Sequence, residues 1–417
     1  MAVAIGIFAV ALAAIATERI DRTRIAMLGA LLMLLTQTID QEQAIEAVDW
    51  GTLGLLAGMM VVVRLTERTG VYTYVAIRAA QRSRGRPLAV VVALAGTTAL
   101  LSAFLDNLTT MLLVVPITFV LADTLDVDPI PLIVIEIVAS NIGGTATLIG
   151  DPPNILIGGH TGLSFAAFIG NLAPIVIPTL VVVVALLYRG YRRRLQIEPA
   201  ARARVLELDA SRAIEDPAEL RRLLPVLALT MLAFFLHGAL HLEPATVALG
   251  GATIMLLLTR RSTEEALQGI EWPTLFFFLG LFVMVGALEH TGVLREVADG
   301  IASITDGNRS AEILGIAWSS ALGSALVDNI PFTAAMLPVV DQLQGAQMDD
   351  AYWWALALGA CFGGNATIIA AAANVAAAGL ASRAGTPITF VTFLKAGIPA
   401  TLVSMALATG YIALRYL

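Results

Sequence analysis

The sequence is short of charged residues, cysteine and histidine. Charged residues make up 14% of the 417 positions and hydrophobic residues 58%, whereas roughly a quarter of an average soluble domain is charged. The single cysteine, Cys361, can form neither an internal disulfide nor a multi-thiolate metal centre. His160, His237, His241 and His290 show no metal-ligand spacing. This composition predicts an all-α polytopic membrane protein with no metal, no cofactor and no nucleic-acid partner.

Long apolar stretches predict ten transmembrane crossings, because about 20 apolar residues span the hydrocarbon layer. The first five are residues 2–17, 25–39, 51–66, 131–157 and 172–189, and the second five are 223–240, 246–260, 272–288, 353–378 and 394–415. Because each half has an odd number of crossings, the second half has the opposite orientation in the membrane. We therefore predict a first inverted repeat (1–190), a cytoplasmic linker (191–222) and a second inverted repeat (223–417).

Arginine is unevenly distributed among the predicted loops. Those on one side, which include the linker, hold 20 arginines, and those on the other hold only Arg295 and Arg309. Cytoplasmic loops carry an excess of basic residues, so both termini are predicted to lie outside the cell (inner) membrane. The first apolar run has no basic segment before it and is predicted to be a retained helix.

Polar residues inside the apolar sequence recur at an offset of 222 residues. The segment 49–53 returns as 271–275, and the Asp-Asn pair Asp106-Asn107 returns as Asp328-Asn329. Polar side chains are costly in a bilayer unless they are paired or face a cavity. A duplicated set at corresponding depths is typical of one solute site built by two repeats, as in secondary transporters.

Each Asp-Asn pair lies between two apolar runs, at residues 88–122 and 311–340. A re-entrant hairpin and a pair of full spans both return the chain to its starting side, and a surface loop is the third reading. We favour hairpins, because polar residues and non-helical backbone at membrane depth are tolerated where they line a cavity. Asp106 and Asp328 could bind a cation, carry a proton or cap the helix that follows.

Glycine and proline interrupt the fourth crossing of each half. Gly143-Gly144 and Pro152-Pro153 cannot continue a regular helix, and the freed N–H and C=O groups can hold a small polar solute. The second copy, residues 363–374, has alanines where the first has Gly150-Asp151-Pro152-Pro153. The site should be asymmetric, with no repeat-mate for Asp151.

Neither the predicted hairpin tips nor the interrupted segments contain Arg or Lys. Since Arg is the usual partner of carboxylate and phosphate groups, this absence favours a metal cation, a proton or a neutral polar solute over a multivalent anion. No P-loop, nucleophile–histidine pairing or metal signature indicates an enzyme.

The sequence resembles the ion transporter superfamily, in the branch of ArsB-type arsenite pumps, NhaD-like sodium/proton antiporters and the melanosomal P protein. The resemblance covers nearly the whole chain and rests on residues 104–111, 141–154 and 328–333. It implies an elevator-type transporter in which a transport domain of hairpins and broken helices moves against a scaffold domain. It also implies a candidate cytosolic ATPase partner and frequent dimerisation.

Matching the family motifs gives a set of solute-binding residues and a set of candidates for proton coupling. The first set is Asn107, Thr109, Asn141, Gly143, Gly144, Thr145, Asn329, Gly364, Asn365 and Thr367, and the second is Asp106, Asp151 and Asp328.

The leading hypothesis is export of arsenite or antimonite in exchange for protons. Arsenous acid is mostly neutral at pH 7, so amides, hydroxyls and peptide groups suit it without a paired charge. Sodium/proton antiport is the first alternative, with the three aspartates as cation ligands. Dicarboxylate transport and a channel are the remaining ones.

Overall fold

A computed structural model describes residues 1–17, 19–345 and 349–417, and this part of the chain is helical and contains no β-strand. The helices of the first half are α1 (Ala2–Ala16), α2 (Arg22–Leu35), α3 (Gln41–Glu46), α4 (Trp50–Glu67), α5 (Val71–Arg82), α6 (Pro87–Phe104), α7 (Asn107–Leu125), α8 (Pro129–Gly144), α9 (Pro152–Thr161) and α10 (Phe165–Tyr191). The helix α11 (Pro199–Glu207) follows, and the second half has α12 (Pro217–Leu240), α13 (Pro244–Leu258), α14 (Thr263–Leu267), α15 (Trp272–His290), α16 (Val293–Thr305), α17 (Arg309–Leu326), α18 (Asn329–Gln344), α19 (Ala351–Gly363), α20 (Ala372–Arg383) and α21 (Phe390–Arg415).

The helix order of the first half repeats in the second. α6 and α17 each have 18 residues, and α10 and α21 have 27 and 26. Short sequence signals set many of the boundaries. Proline occupies the first turn of α6, α8, α9, α12 and α13, where its missing N–H costs nothing.

In the described part of the chain, seven helices are long and apolar enough to cross a membrane by length and composition: α4, α6, α7, α10, α12, α15 and α21. The two predicted crossings 131–157 and 353–378 are not single helices. Each is divided into a first arm, α8 or α19, and a second arm, α9 or α20, with residues outside the α-helices between them, which in the second half include the short 3-10 helix Ile368–Ala370. The interruption expected from glycine and proline is therefore present in both halves.

Helices also occur where the sequence predicted only polar connections. α5 occupies most of the loop predicted at 67–87, α16 follows α15, and α11 lies in the linker. These segments alternate apolar and polar residues too finely to be recognised as spans, but they bury one face. Tyr72, Ala76 and Ala80 form that face in α5.

Two groups of helices pack across the two halves. In the frame, which we define as α2, α4, α13 and α15, α4 lies against α13 and α2 against α15. In the hairpin core, which we define as α6–α9 and α17–α20, α6 lies against α8, α17 against α19, and α7 and α18 contact the second arms α20 and α9.

The first arms α8 and α19 lie at the centre of the hairpin core. Residues Pro131–Gly144 of α8 and all residues of α19 are buried. A helix that is apolar nearly all round is stable only when it is surrounded. The interruptions at the ends of α8 and α19 are thus placed deep inside the protein.

Candidate functional site

A small cavity of about 40 Å³ lies where the hairpin core meets the frame. Its polar lining consists of Arg22, Asp106, Asn107, Asp151, Glu271, Thr274 and Asn329. Apolar side chains from α4 and α15 and the alanines at the start of α20 complete the wall. A single cavity is therefore lined by Asp106 and Asn107 of the first Asp-Asn pair and by Asn329 of the second.

Asn107 lies at the tip between α6 and α7 and is 4% exposed. Its side-chain oxygen accepts a hydrogen bond from Ser102 Oγ over 2.5 Å, and its Nδ2 donates to Asn141 Oδ1 over 3.3 Å. Asn329, at the other tip, is 3% exposed. A surface loop carrying Asp-Asn is excluded, because both asparagines are buried beside the interrupted helices.

Asn141 connects the two halves of the chain. Its Nδ2 lies 3.3 Å from the carbonyl oxygen of Gly364, 3.1 Å from Asn365 Oδ1 and 3.0 Å from Asn374 Oδ1. Buried amides are stable only when their hydrogen-bonding groups find partners. Asn141 thus holds the two interruptions side by side.

The freed carbonyl groups of each interruption are satisfied by an asparagine from the second arm. Asn154 Nδ2 donates to the carbonyl oxygens of Thr145 and Thr147 at 3.0 and 2.8 Å. Asn374 Nδ2 does the same for Gly364 and Thr367 at 2.7 and 3.0 Å. Asn374 therefore plays the same part as Asn154, although the residues preceding it are alanines.

Gly143 and Gly144 allow the first tip to approach the first interruption. A Cβ on Gly143 would lie 2.3 Å from the carbonyl oxygen of Ala99 in α6, and one on Gly144 would lie 2.3 Å from Asn107 Oδ1. Both distances are far below van der Waals contact, so a larger residue would push the tip away from the cavity.

The three aspartates proposed for proton coupling have different surroundings. Asp106 caps α7, because its carboxylate accepts hydrogen bonds from Thr109 N at 2.8 Å and Thr109 Oγ1 at 2.5 Å. Asp328 accepts from Ile330 N at 3.0 Å, with a φ of 155° that non-glycine residues rarely adopt. Capping thus accounts for part of the role of both residues.

Asp151 begins α9 but makes no capping hydrogen bond. One of its oxygens accepts from Asn329 Nδ2 at 3.0 Å. The other, Oδ2, is buried and has no hydrogen-bond partner among the residues that the structure describes. A buried carboxylate oxygen without a donor is costly when the group is ionised, so Asp151 is the aspartate whose surroundings best suit a bound proton.

Arg22 corrects the expectation that the site has no fixed cation. Its Nη1 lies 3.2 Å from Asp328 Oδ2, and its guanidinium lies 5.0 Å from the ring centre of Phe277. No sequence pattern indicates this contact, because Arg22 starts α2, more than 300 residues from Asp328. The argument against an anionic solute is weakened accordingly.

The remaining predicted residues lie behind the cavity wall. Thr109 bonds to Asp106, Thr145 Oγ1 donates to the carbonyl of Asn141 in its own helix, and Thr367 Oγ1 donates to the carbonyl of Ala325. Asn365 is fully buried against Asn141. These residues shape the interruptions, whereas Asn107 and Asn329 line the cavity itself.

Glu271 and Thr274 were missed as site residues, although the duplicated segment 271–275 signalled them. Both line the cavity, and Thr274 Oγ1 donates to Glu271 Oε2 at 3.2 Å. The cavity is thus surrounded by three carboxylates that form no ion pair among the described residues and by one ion-paired guanidinium, and its volume suits a small solute. The carboxylates are those of Asp106, Asp151 and Glu271, and the guanidinium is that of Arg22. In the described ranges no three His, Cys, Asp or Glu side chains are grouped closely enough to hold one metal ion.

Comparison with known proteins places this architecture among membrane transporters. Residues 12–359 match the family model described as CitMHS, citrate transporter. An uncharacterized transporter of Mycobacterium tuberculosis (strain ATCC 25618 / H37Rv) is 42% identical over 99% of this chain and 98% of its own length. The P protein of Homo sapiens is 33% identical over 98% of this chain and 59% of its own length.

A solved structure has a similar fold. The YdaH transporter of Alcanivorax borkumensis aligns with a TM-score of 0.62 over 92% of this chain and 88% of that one, at 16% sequence identity. At that identity the likeness concerns the fold alone. It agrees with a multi-pass membrane protein built from helices.

Proposed function

This chain belongs to the CitMHS citrate transporter family, within the ion transporter superfamily, and we propose that it exports arsenite or antimonite in exchange for protons. The observation that carries the proposal is the buried, unpartnered Oδ2 of Asp151 in a small cavity that Asn107 and Asn329 also line. A proton-accepting group and hydrogen-bonding amides are thereby placed around one solute.

The lining suits a small neutral hydroxide. Arsenous acid presents three hydroxyl groups, each able to donate and accept a hydrogen bond. Asn107 and Asn329 offer amide groups, and a cavity of about 40 Å³ leaves little room for a larger molecule. Because a neutral solute needs no counter-ion, the carboxylates remain available for protons.

Proton exchange requires that proton and solute bias the same conformational equilibrium. Asp151 bonds to Asn329, so a change in its charge acts directly on a solute-facing amide. Protonation of Asp151 and binding of the solute would compete through this contact. After Asp151 has released its proton to the cytoplasm, arsenite would bind in the cavity and be exported.

An elevator movement of the hairpin core against the frame is the proposed conformational change. A Cβ on Gly159, near the end of α9, would lie 2.3 Å from Thr52 Oγ1. A Cβ on the repeat-mate Gly379 has no described neighbour within 4 Å, and it is the start of α20 that lines the cavity with Glu271 and Thr274. The first half of the frame is thus close to the end of its second arm, α9, and the second half of the frame is close to the start of α20. These two levels differ by about seven residues of helix, or roughly 10 Å.

This difference in level supports two inverted repeats, 1–190 and 223–417, with the hairpin core at one end of its proposed movement. In the orientation set by the arginine-rich loops, the cavity faces the cytoplasm, and both termini lie outside the inner membrane. The linker 191–222, with α11, is the surface we assign to a cytosolic ATPase partner.

Transport by the purified chain in proteoliposomes tests the substrate. We expect arsenite uptake above that of empty liposomes, saturable and inhibited by antimonite, with no movement of sodium or citrate. Asn107→Ala should abolish uptake, and Asn171→Ala, whose side chain lies in α10 outside the cavity, should not. Sodium-dependent proton flux without arsenite uptake would instead establish the cation antiporter.

Arg22 favours a second candidate, transport of a carboxylate anion. A bound carboxylate could replace Asp328 at the guanidinium, since Arg pairs with carboxylates in a fixed geometry. Citrate uptake that is lost in Arg22→Gln and retained in Arg24→Gln, a change at an exposed neighbour, would favour this function over arsenite export.

A further inference from the structure

The two Asp-Asn tips meet opposite charges from the frame. Asp328 is paired with Arg22 over 3.2 Å. Asp106 instead lines a cavity of about 40 Å³ together with the carboxylate residue Glu271. Tips with the same local sequence therefore stand in opposite electrostatic surroundings, one attractive and one repulsive when all groups are ionised.

Glu271 differs from its repeat-mate Asp49 in what its side chain does. Asp49 caps α4, accepting from Thr52 N at 2.9 Å and Thr52 Oγ1 at 2.5 Å. Glu271 precedes α15 in the same way but makes no capping hydrogen bond. Its carboxylate accepts only from Thr274 Oγ1, at 3.2 Å, and it lines the cavity rather than closing its own helix.

The charged groups around this pair leave it with an excess of negative charge. Arg22 of α2 lines the same cavity, but its guanidinium is bonded to Asp328 at the start of α18. Asp151, at the start of α9, adds a third carboxylate whose Oδ2 is buried without a partner among the described residues. Two like charges in a site of reduced dielectric constant repel each other strongly at short distance. Glu271 and Asp106 can therefore come into contact only if a proton is bound between them.

We propose that Glu271 is a coupling residue, which holds a proton jointly with Asp106 when the hairpin core is docked as seen here. An O–H···O bond between the two carboxyl groups forms on docking with one proton bound. When that proton leaves for the cytoplasm, two negative charges face each other and the core is driven away from the frame. The step needs only a proton, and its link to solute movement rests on the proposed export function.

Docking can be measured without any solute. In a Cys361→Ala background, Thr52→Cys with Gly159→Cys reports the docked position, since these residues are close together in this structure and would separate when the core moves. At each pH, cross-linking is compared with that in a chain that also carries Glu271→Gln, so that the pH dependence of thiol chemistry cancels. Glu264→Gln, at an exposed site in α14, is the control.

At pH 5.5 we expect the cysteine-pair chain and the same chain with Glu271→Gln to cross-link equally. At pH 8.5 we expect the chain that keeps Glu271 to cross-link at least severalfold less than the Glu271→Gln chain. Asp106→Asn, which keeps a capping side chain, should remove the pH dependence in the same way. An unchanged pH profile in folded Glu271→Gln and Asp106→Asn chains would overturn the proposal, as would the same change in Glu264→Gln. Loss of arsenite transport with this pH profile intact would reject the substrate and leave the coupling residue standing.

Discussion

Asn329 donates a hydrogen bond from Nδ2 to Asp151 Oδ1 over 3.0 Å. The second hairpin tip thereby contacts Asp151, the acidic residue of the first interruption. Asp151 has no repeat-mate in the second half. The symmetry of the duplicated motifs is broken at this contact, where a cavity-lining amide and a buried carboxylate are hydrogen-bonded.

Replacing Asp151 by Asn should separate solute movement from proton movement. The amide keeps an oxygen for Asn329 but cannot exchange a proton. We expect proton-driven arsenite transport to fall by about 5- to 150-fold, the factor that corresponds to typical coupling free energies of about 1–3 kcal/mol. Arsenite/arsenite exchange should continue. Both rates can be measured in the same vesicles.

The control for this substitution is Asp299→Asn, at an exposed position of α16. Equal losses of exchange and proton-driven transport in Asp151→Asn would mean that Asp151 binds solute or maintains structure rather than carrying the proton.

Asn141→Ala should lower the thermal stability of the protein. It would leave Asn107 Nδ2 and the side-chain oxygens of Asn365 and Asn374 without this partner, at a cost of roughly 1–3 kcal/mol per unsatisfied group. The repeat-mate is Cys361, whose thiol makes only a 3.7 Å contact with Asn154 Oδ1. Cys361→Ala should therefore shift the melting temperature much less, and a larger shift than that of Asn141→Ala would contradict the bridging role.

Arg22→Gln should destabilise the docked state by leaving Asp328 buried without its counter-ion, a loss of about 3–5 kcal/mol in comparable buried pairs. The estimate is an upper one, since Arg22 is 23% exposed. Adding Asp328→Asn should restore much of the loss, and a double-mutant cycle in thermal unfolding measures the coupling. Additive effects would show that the ion pair contributes nothing.

A second cysteine pair tests the elevator movement. Thr274→Cys with Gly379→Cys occupies the repeat-equivalent positions of Thr52 and Gly159, but here Gly379 has open space beside it. In the Cys361→Ala background, this pair should cross-link only after the hairpin core has moved about 10 Å. A solute gradient that increases this cross-link should decrease the Thr52–Gly159 one. Simultaneous full cross-linking of both pairs in one chain would exclude the movement.

Several features of the fold follow directly from the sequence. Gly143-Gly144 and Pro152-Pro153 predict the first interruption because neither pair can continue a helix, and Asp106-Asn107 marks the start of α7. These are local effects of backbone geometry, so they are visible without tertiary information.

The composition of the cavity does not follow from the sequence to the same extent. Arg22 reaches Asp328 through packing of α2 against α15, which no local pattern specifies. Thr109 and Thr145 belong to family motifs, yet their hydroxyls bond within the wall. Which motif residues line the cavity depends on how the two halves dock.

Proton movement caused by arsenite tests the central claim most directly. Proteoliposomes containing a pH-sensitive dye and no initial pH gradient receive arsenite outside, with protein-free liposomes correcting for passive entry. The proposed exchange predicts that the lumen becomes alkaline as arsenite enters, and that Asp151→Asn abolishes the pH change. Arsenite entry with no change in lumenal pH would contradict proton exchange, and the absence of protein-dependent entry would contradict arsenite as the substrate.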